Sequence, residues 1–274
     1  MSAVIIGIDG GMGKWLKKHL EHLGFSVEGF DERRGDYPSI ITRADLIVVS
    51  VPVGVTAEVI KFVVKHMRKD TALMEISSLK SGIHEEMIEA SKKGFNALSV
   101  HPMFGPSVTS LEEKTVGVIP VSDIESEAIQ TKALFPMASI VQVEPEKHDR
   151  LMSLILSLPY LVNLALAGTM MEEDLALMRK LSGTSFALQY TLLQSVAAES
   201  TSLVHALLSE NSFLGESSEK FIKKFTEIVQ KKGSTEEFEK LHLEIKGSMR
   251  RDTTYGRAHE IRQAAYDAIR PLLR

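Results

Sequence analysis

"IIGIDGGMGKWL", residues 5–16, joins an apolar run to a helical pattern through Gly7, Gly10 and Gly13. How that turn is read decides the fold. A bound pyrophosphate asks three things of it: a tight bend, close backbone approach, and a helix N-terminus facing its charge. The glycines supply the first two, and the helical pattern from Gly11 and Met12 onward supplies the third. The spacing is G-x-x-G-x-x-G, with Ile8 where the strict G-x-G-x-x-G fingerprint has its first glycine. Asp9 sets a carboxylate beside the expected diphosphate, which is unfavourable unless it points away. An ordinary strand-to-helix turn would accept the same glycines. Asp31 separates the two readings. It stands about twenty residues beyond the turn, at the end of the second apolar run, where a carboxylate accepts from both ribose hydroxyls of NAD. Arg33 and Arg34 follow, placed to stack on adenine or to meet a 2′-phosphate. Asp31 would repel that phosphate, so NAD is the expected cofactor.

Outward from the turn, short β-branched runs alternate with helical patterns. Residues 3–8, 26–31, 46–51, 72–76, 97–100, 116–121 and 139–143 read as strands, with "GKWLKKHLEHLG" and "AEVIKFVVKHMRK" as helices between them. That alternation builds an α/β fold, a doubly wound parallel sheet of Rossmann type. Runs apolar throughout, such as "LIVVSV", suit strands buried on both faces. After about residue 144 the strands stop, and the chain reads as helices broken at Gly183, Gly215 and Gly233. The expected plan is a dinucleotide-binding domain over 1–146 and an all-helical dimerisation and substrate domain over 147–274.

"LMSLILSLPYLVNLALAGTMM", residues 151–171, carries no charge and is long enough to span a bilayer. Ser153, Ser157, Pro159 and Asn163 oppose a lipid setting, and no partner span accompanies them. The expectation is a central buried helix whose remaining cover comes from a second subunit, hence a homodimer and no membrane partner.

Composition narrows the chemistry. The chain has 274 residues, 44% hydrophobic and 25% charged, as expected of a soluble globular protein with room for two domains. A net charge of −4 leaves no basic footprint for nucleic acid. The absence of cysteine excludes disulfides, thiolate metal sites and thiol nucleophiles, and suits a reducing cytoplasm. The N-terminal run lacks a basic flank and a cleavage site, so it does not read as a secretion signal. His19 and His22 sit on the first helix with no third ligand in view, which predicts a solvated face and no metal.

Three more strand ends should reach the cofactor edge. "SVPVGVT" offers Ser50, Val51 and Pro52; "EISSLKSG" offers Ser77, Ser78 and Lys80; "SVHPMFGP" offers His101, braced by Pro102 and Pro106. A dehydrogenase acting on an alcohol needs a base for the hydroxyl proton as hydride leaves. Imidazole suits that task, with an expected acid limb at a pKa of about 6–7. A turn histidine and a solvated lysine are the plain alternatives for His101 and Lys80. His148, in "EKHDRL", reads only as a residue opening the helical half.

"SVP", "SSLKSG" and above all "HPMFGPSVTSL", behind a glycine-rich first turn, resemble the prephenate dehydrogenase family. The likeness continues into "KHDRLMSLILSLPYLV" and thins beyond it. It implies a Rossmann domain, a helical dimerisation domain, and NAD-dependent oxidative decarboxylation of prephenate to 4-hydroxyphenylpyruvate in tyrosine biosynthesis. By that resemblance His101 takes the proton of the ring hydroxyl, Ser78 hydrogen-bonds near it, and Lys80 lies in the same loop. Ser157 and Tyr160 occupy substrate positions where relatives often carry histidines. The arginine that relatives use to grip a substrate carboxylate would fall near Ser195, so another cation, Lys80, Arg150 or Arg179, has to serve. Arogenate, the transaminated analogue, is the rival substrate. Fusion to chorismate mutase or prephenate dehydratase is common in the family. Two other classes share the layout. A β-hydroxyacid dehydrogenase or imine reductase draws its proton donor from the helical part, and an NAD-binding redox sensor would not need His101.

Overall fold

The computed structural model describes residues 1–31 and 37–273. Seven strands form one sheet: β1 (Ser2–Ile6), β2 (Ser26–Phe30), β3 (Leu46–Val49), β4 (Ala72–Glu75), β5 (Asn96–Pro102), β6 (Thr115–Ile119) and β7 (Ser139–Gln142). Their order is β2-β1-β3-β4-β5-β6-β7. Helices α1 (Gly11–His22), α2 (Tyr37–Ile41), α3 (Val53–His66), α4 (Ile83–Lys92) and α5 (Ile124–Leu134) alternate with them. The direction of winding reverses between β1 and β3. In such sheets ligands lie at that reversal, outside the carboxyl ends of the strands.

All pairings are parallel except β5 with β6, which is antiparallel. The sheet is the expected doubly wound, parallel-dominated one, with a single antiparallel return. A parallel return needs a crossover, usually a helix. No helix forms between Pro102 and Thr115, so β6 comes back alongside β5 in the opposite sense.

The central strands, such as β3 (LIVV, buried throughout), are apolar because both faces are covered, whereas the edge strands β2 and β7 are partly exposed. Ala3 and Ile5 of β1 pack into one core with Leu16 and Leu20 of α1 and with Phe135. Val4 and Ile6 pack into the other with Ile60 and Val63 of α3 and Ile83 and Met87 of α4. Adjacent residues of a strand point to opposite faces, so one run feeds both layers. Asp123 starts α5 by accepting from the backbone N–H of Glu125 and Ser126.

Beyond β7 come α6 (Pro145–Met152), a π-helical turn (Ser153–Ser157), α7 (Leu158–Gly168), α8 (Leu175–Lys180), α9 (Thr184–Ala198), α10 (Thr201–Ser209), α11 (Leu214–Lys231), α12 (Thr235–Met249) and α13 (Ala258–Ile269). The chain divides into two compact units. One holds Met1–Ile155 and His205–Phe213; the other holds Leu156–Val204 and Leu214–Arg274. The first unit thus keeps α6, and takes back a short segment that the sequence plan gave to the helical half. Inside the second unit, the Asn163 amide donates to Pro159 O (2.7 Å) and accepts from Gln189 Nε2 (2.8 Å), tying α7 to α9. Pro145–Gly168 is long and apolar enough to cross a membrane by length and composition. Leu154 and Ile155 on it are about half exposed in the single chain.

Candidate active site

The glycine turn is built from close approaches. Gly7 has φ +89°, and a β-carbon there would stand 2.2 Å from Ser50 O. At Gly13 a β-carbon would stand 2.0 Å from Gly7 O. Only glycine fits either place. The turn therefore folds against both its own helix and the end of β3. Gly10 and Gly11 are exposed at the start of α1, and Met12 packs half-buried on the core behind. The N–H groups of the first helical turn have no partner within a helix, which suits them to an anion. Asp31 lies just past β2, and its Oδ2 accepts from Asp9 N at 2.9 Å. That bond ties the carboxylate to the glycine turn. Ser50 follows β3, with its N–H bonded to Ile6 O, and Pro52 precedes α3. Arg33 and Arg34 lie outside the described residues.

The "HPMFGP" loop is pinned to the same helix. Trp15 Nε1 donates to Val108 O at 2.7 Å, and the Trp15 ring meets Phe104 edge-on. A β-carbon at Gly11 would press on Pro106 at 3.1 Å. His19 is not on a solvated face as expected: its ring stacks between Trp15 and Phe135, and its Nε2 bonds Leu134 O at 2.7 Å. No metal-binding cluster occurs among the described residues.

Beneath the edge lies a charged cluster. Glu75, the last residue of β4, is 0% exposed. Its Oε1 accepts from Lys80 Nζ and Ser99 Oγ, both at 2.5 Å, and its Oε2 accepts from Ser77 N at 2.8 Å. Lys80 Nζ also donates to Val100 O at 2.8 Å, and the lysine is only 2% exposed. Burial lowers its pKa, opposed by the charge and hydrogen bond of Glu75. Lys80, expected as a substrate cation, is placed away from solvent. Its ammonium is spent inside the protein, because a buried Glu75 demands a partner.

His101 extends β5 two residues beyond the Glu75–Ser99 pairing, to the carboxyl edge of the sheet. It is buried, and its Nδ1 lies 3.0 Å from Nε2 of His148 on α6. His148 Nδ1 in turn lies 2.7 Å from Asp149 Oδ1. Asp149 accepts besides from Lys80 N (2.9 Å), Ser81 N (2.8 Å) and Ser81 Oγ (2.6 Å). Burial alone would raise the Asp149 pKa, but these hydrogen bonds, that of His148 first, outweigh it and hold the carboxyl at about 2. Burial, then the charges of Lys80 and His148, holds His101 well below the ordinary histidine value, against the opposing pull of Asp149. His101 is therefore a neutral imidazole at working pH, able to accept a proton.

The first unit thus brings Gly7, Gly10, Gly11, Met12, Gly13, Asp31, Ser50, Val51, Pro52, Ser77, Ser78 and His101 to one sheet edge, with Ser78 half-buried on the loop after β4. Ser157 and Tyr160 belong to the second unit. Ser157 is fully buried; Tyr160 is partly buried, its pKa raised first by burial and then by Glu199. Arg150 and Arg179 are exposed, and Ser195 Oγ turns back to Leu192 O. Sequence reasoning missed Glu75 and Asp149 and gave His148 only the opening of the helical half. The signals were a lone carboxylate in the apolar run "ALMEI" and a His-Asp pair at a helix start.

Two family models match the chain. "Prephenate dehydrogenase, nucleotide-binding domain" covers residues 5–133, and "Prephenate dehydrogenase, dimerization domain" covers 144–244. A "Probable arogenate/prephenate dehydrogenase" of Methanocaldococcus jannaschii is 30% identical over 83% of this chain and 56% of its own length. The chain spans about half the length of the curated relatives it matches. Among solved structures, prephenate dehydrogenase from Aquifex aeolicus superposes with a TM-score of 0.72 at 18% identity, covering 91% of this chain and 99% of that one. The same enzyme in complex with hydroxyphenyl propionate and NAD+ gives 0.68 at 20% identity, covering 92% and 98%. These structures share the fold. With both family models matched in order along the sequence, the chain belongs to the prephenate dehydrogenase family.

Proposed function

We propose that this chain oxidises and decarboxylates prephenate to 4-hydroxyphenylpyruvate with NAD. The observation that carries the reading is His101: a buried, neutral imidazole at the carboxyl edge of the same sheet whose glycine turn and Asp31 suit a dinucleotide. The family's nucleotide-binding description, and the NAD+ complex of the Aquifex neighbour, support the cofactor. Gly7–Gly13 and the amino end of α1 would hold its pyrophosphate, Asp31 its ribose hydroxyls, and Ser50–Pro52 its inner edge. Bound NAD supplies a hydride acceptor.

The rest falls to the protein. His101 takes the proton of the ring hydroxyl as the carbinol hydrogen leaves as hydride. The carbonyl that forms, conjugated through the ring, receives the electron pair released when the quaternary carbon loses carbon dioxide. The phenolate oxygen then needs one proton, and His101 holds one. Orientation of the ring and exclusion of water are the remaining requirements. Aromatisation makes the overall step irreversible.

The family's dimerisation domain supports a homodimer. On α11, Ile222 and Phe225 stand 61% and 58% exposed in the single chain, and a second copy would cover them. A soluble cytoplasmic enzyme is the setting this reading implies.

The test is turnover of NAD with prephenate and, separately, with arogenate. Prephenate should give the higher kcat/KM; a preference for arogenate overturns the substrate assignment. His101→Asn should lower kcat by roughly 10²–10⁴-fold with the KM for NAD little changed. In the unmutated enzyme the acid limb of kcat/KM should fall below the ordinary histidine value, because burial depresses His101. This moves it below the range of about 6–7 expected from an unperturbed imidazole. Near-full kcat in His101→Asn would remove His101 as the base.

A further inference from the structure

We propose that His148 and Asp149 are a positioning relay that sets the tautomer of His101, leaving the proton on Nδ1 and the lone pair on Nε2. The inference rests on the reading of His101 as the base and names what orients it.

The argument starts at Asp149. An ionised carboxylate only accepts hydrogen bonds. Lys80 N, Ser81 N and Ser81 Oγ all donate to it, so its orientation is held by two backbone groups and a hydroxyl of the loop after β4. The contact at 2.7 Å then requires His148 Nδ1 to carry a hydrogen. The relay takes the His148 ring with a single N–H, on Nδ1, which leaves its Nε2 a bare acceptor; a second N–H there would turn the bond to His101 around. Facing it at 3.0 Å is His101 Nδ1, which must donate. The proton-accepting atom of His101 is thereby Nε2, the nitrogen turned away from the relay. The two rings cross at 64° with centroids 5.2 Å apart, close enough for one linear bond and too steep for stacking.

The relay also meets the charge that appears during reaction. When Nε2 takes the substrate proton, the imidazolium's Nδ1–H points at a lone pair with a carboxylate behind it. The charged and titratable groups acting on His101 are Lys80, from the loop after β4 and paired with Glu75, and His148 and Asp149 from α6. Lys80 is neutralised by Glu75, so Asp149 is the uncompensated charge in that group.

Three measurements decide it. First, nitrogen-15 histidine labelling assigns protonated and bare ring nitrogens without any turnover. His101 should show a protonated Nδ1 and a bare Nε2, and His148 likewise. The opposite arrangement on His101 overturns the relay. Second, Asp149→Asn keeps size but offers one acceptor instead of two. The two Ser81 donors, N–H and hydroxyl, claim that oxygen, and the amide then faces His148 as a donor. Both tautomers reverse, and His101 Nε2 gains a hydrogen. Expected is a fall in kcat of about 10²–10³-fold, with the NAD dissociation constant unchanged and the acid limb moved to lower pH by loss of the carboxylate. A fall with the limb unmoved would mark Asp149 as structural only and overturn the proposal. As a conservative pair, His148→Gln retains an acceptor toward His101 and His148→Phe does not. Glutamine should keep at least ten times the kcat of phenylalanine, and equal values count against the relay. Absence of turnover with either substrate in the unmutated protein sinks the dehydrogenase reading alone, since the nitrogen assignment is independent of it.

Discussion

Lys80→Met tests whether the Glu75–Lys80 pair is part of the framework under the site or a means of holding substrate. Methionine nearly matches the length of the lysine stem and packs adaptably, so the change removes charge with little loss of packing. It strands Glu75, which is 0% exposed, with Ser99 Oγ and Ser77 N as its remaining partners. Breaking a buried pair by deleting one member costs about 3–5 kcal/mol. For a unit of this size that lowers Tm by on the order of 10 °C. Trp15 is the only tryptophan and packs half-buried against Phe104 within the first unit, so its fluorescence follows the unfolding of that unit in urea. The double variant Glu75→Gln, Lys80→Met removes both charges; the amide oxygen still accepts from Ser77 N, and the amide N–H donates to Ser99 Oγ. Because no unpaired buried charge remains, it should recover at least half of the loss, a coupling of about 2 kcal/mol or more, readable in a double-mutant cycle. The KM for substrate should change less than threefold in that double variant. Two results would refute the reasoning. One is strict additivity of the two substitutions. The other is a Lys80→Met protein with unchanged stability and a KM raised tenfold, which would return Lys80 to the substrate.

Gly13→Ala puts a β-carbon 2.0 Å from Gly7 O, so the turn must open; the NAD dissociation constant by calorimetry should rise more than tenfold, and a change under twofold contradicts the close-approach argument. Asp31 should favour NAD over NADP by at least tenfold in kcat/KM, about 1.4 kcal/mol, and Asp31→Ala should narrow the gap; equal use of both by the unmutated enzyme removes that role. Burial lowers the pKa of His101, His19 and His84. Keeping them neutral therefore contributes stability that is complete above the unfolded histidine value of about 6.5 and is lost as pH falls below it toward the folded values. The urea midpoint should drop between pH 7 and pH 5, and His101→Asn should flatten that drop; an unchanged slope assigns the effect elsewhere. Light scattering without detergent should give a dimer, and a stable monomer or partition into membranes defeats the reading of residues 151–171 as a helix shared between subunits.

Some of this protein is written locally in its chain. Gly7 and Gly13 announce their turn because a missing side chain is itself the structural requirement, and nearby backbone oxygens enforce it. The seven β-branched runs name the seven strands, and burial on two faces leaves no polar alternation along the central ones such as β3. His101 stands out because prolines flank its turn. The antiparallel β6 was readable too, from the absence of any helical pattern between Pro102 and Thr115, though strand alternation elsewhere suggested a uniform sheet. What the tertiary structure alone decided is pairing across distance. Lys80 and Glu75 are five residues apart in sequence, yet whether that lysine meets solvent, substrate or carboxylate depends on how deeply β4 is buried by strands on both sides. His148 is 47 residues from His101, and Asp149 is 69 from Lys80. No periodicity encodes such separations. They follow from the placement of α6 against the sheet edge, where a helix start with two polar residues meets a strand end with one. Hydrogen bonds act over about 3 Å, and only the folded chain brings those ends that close.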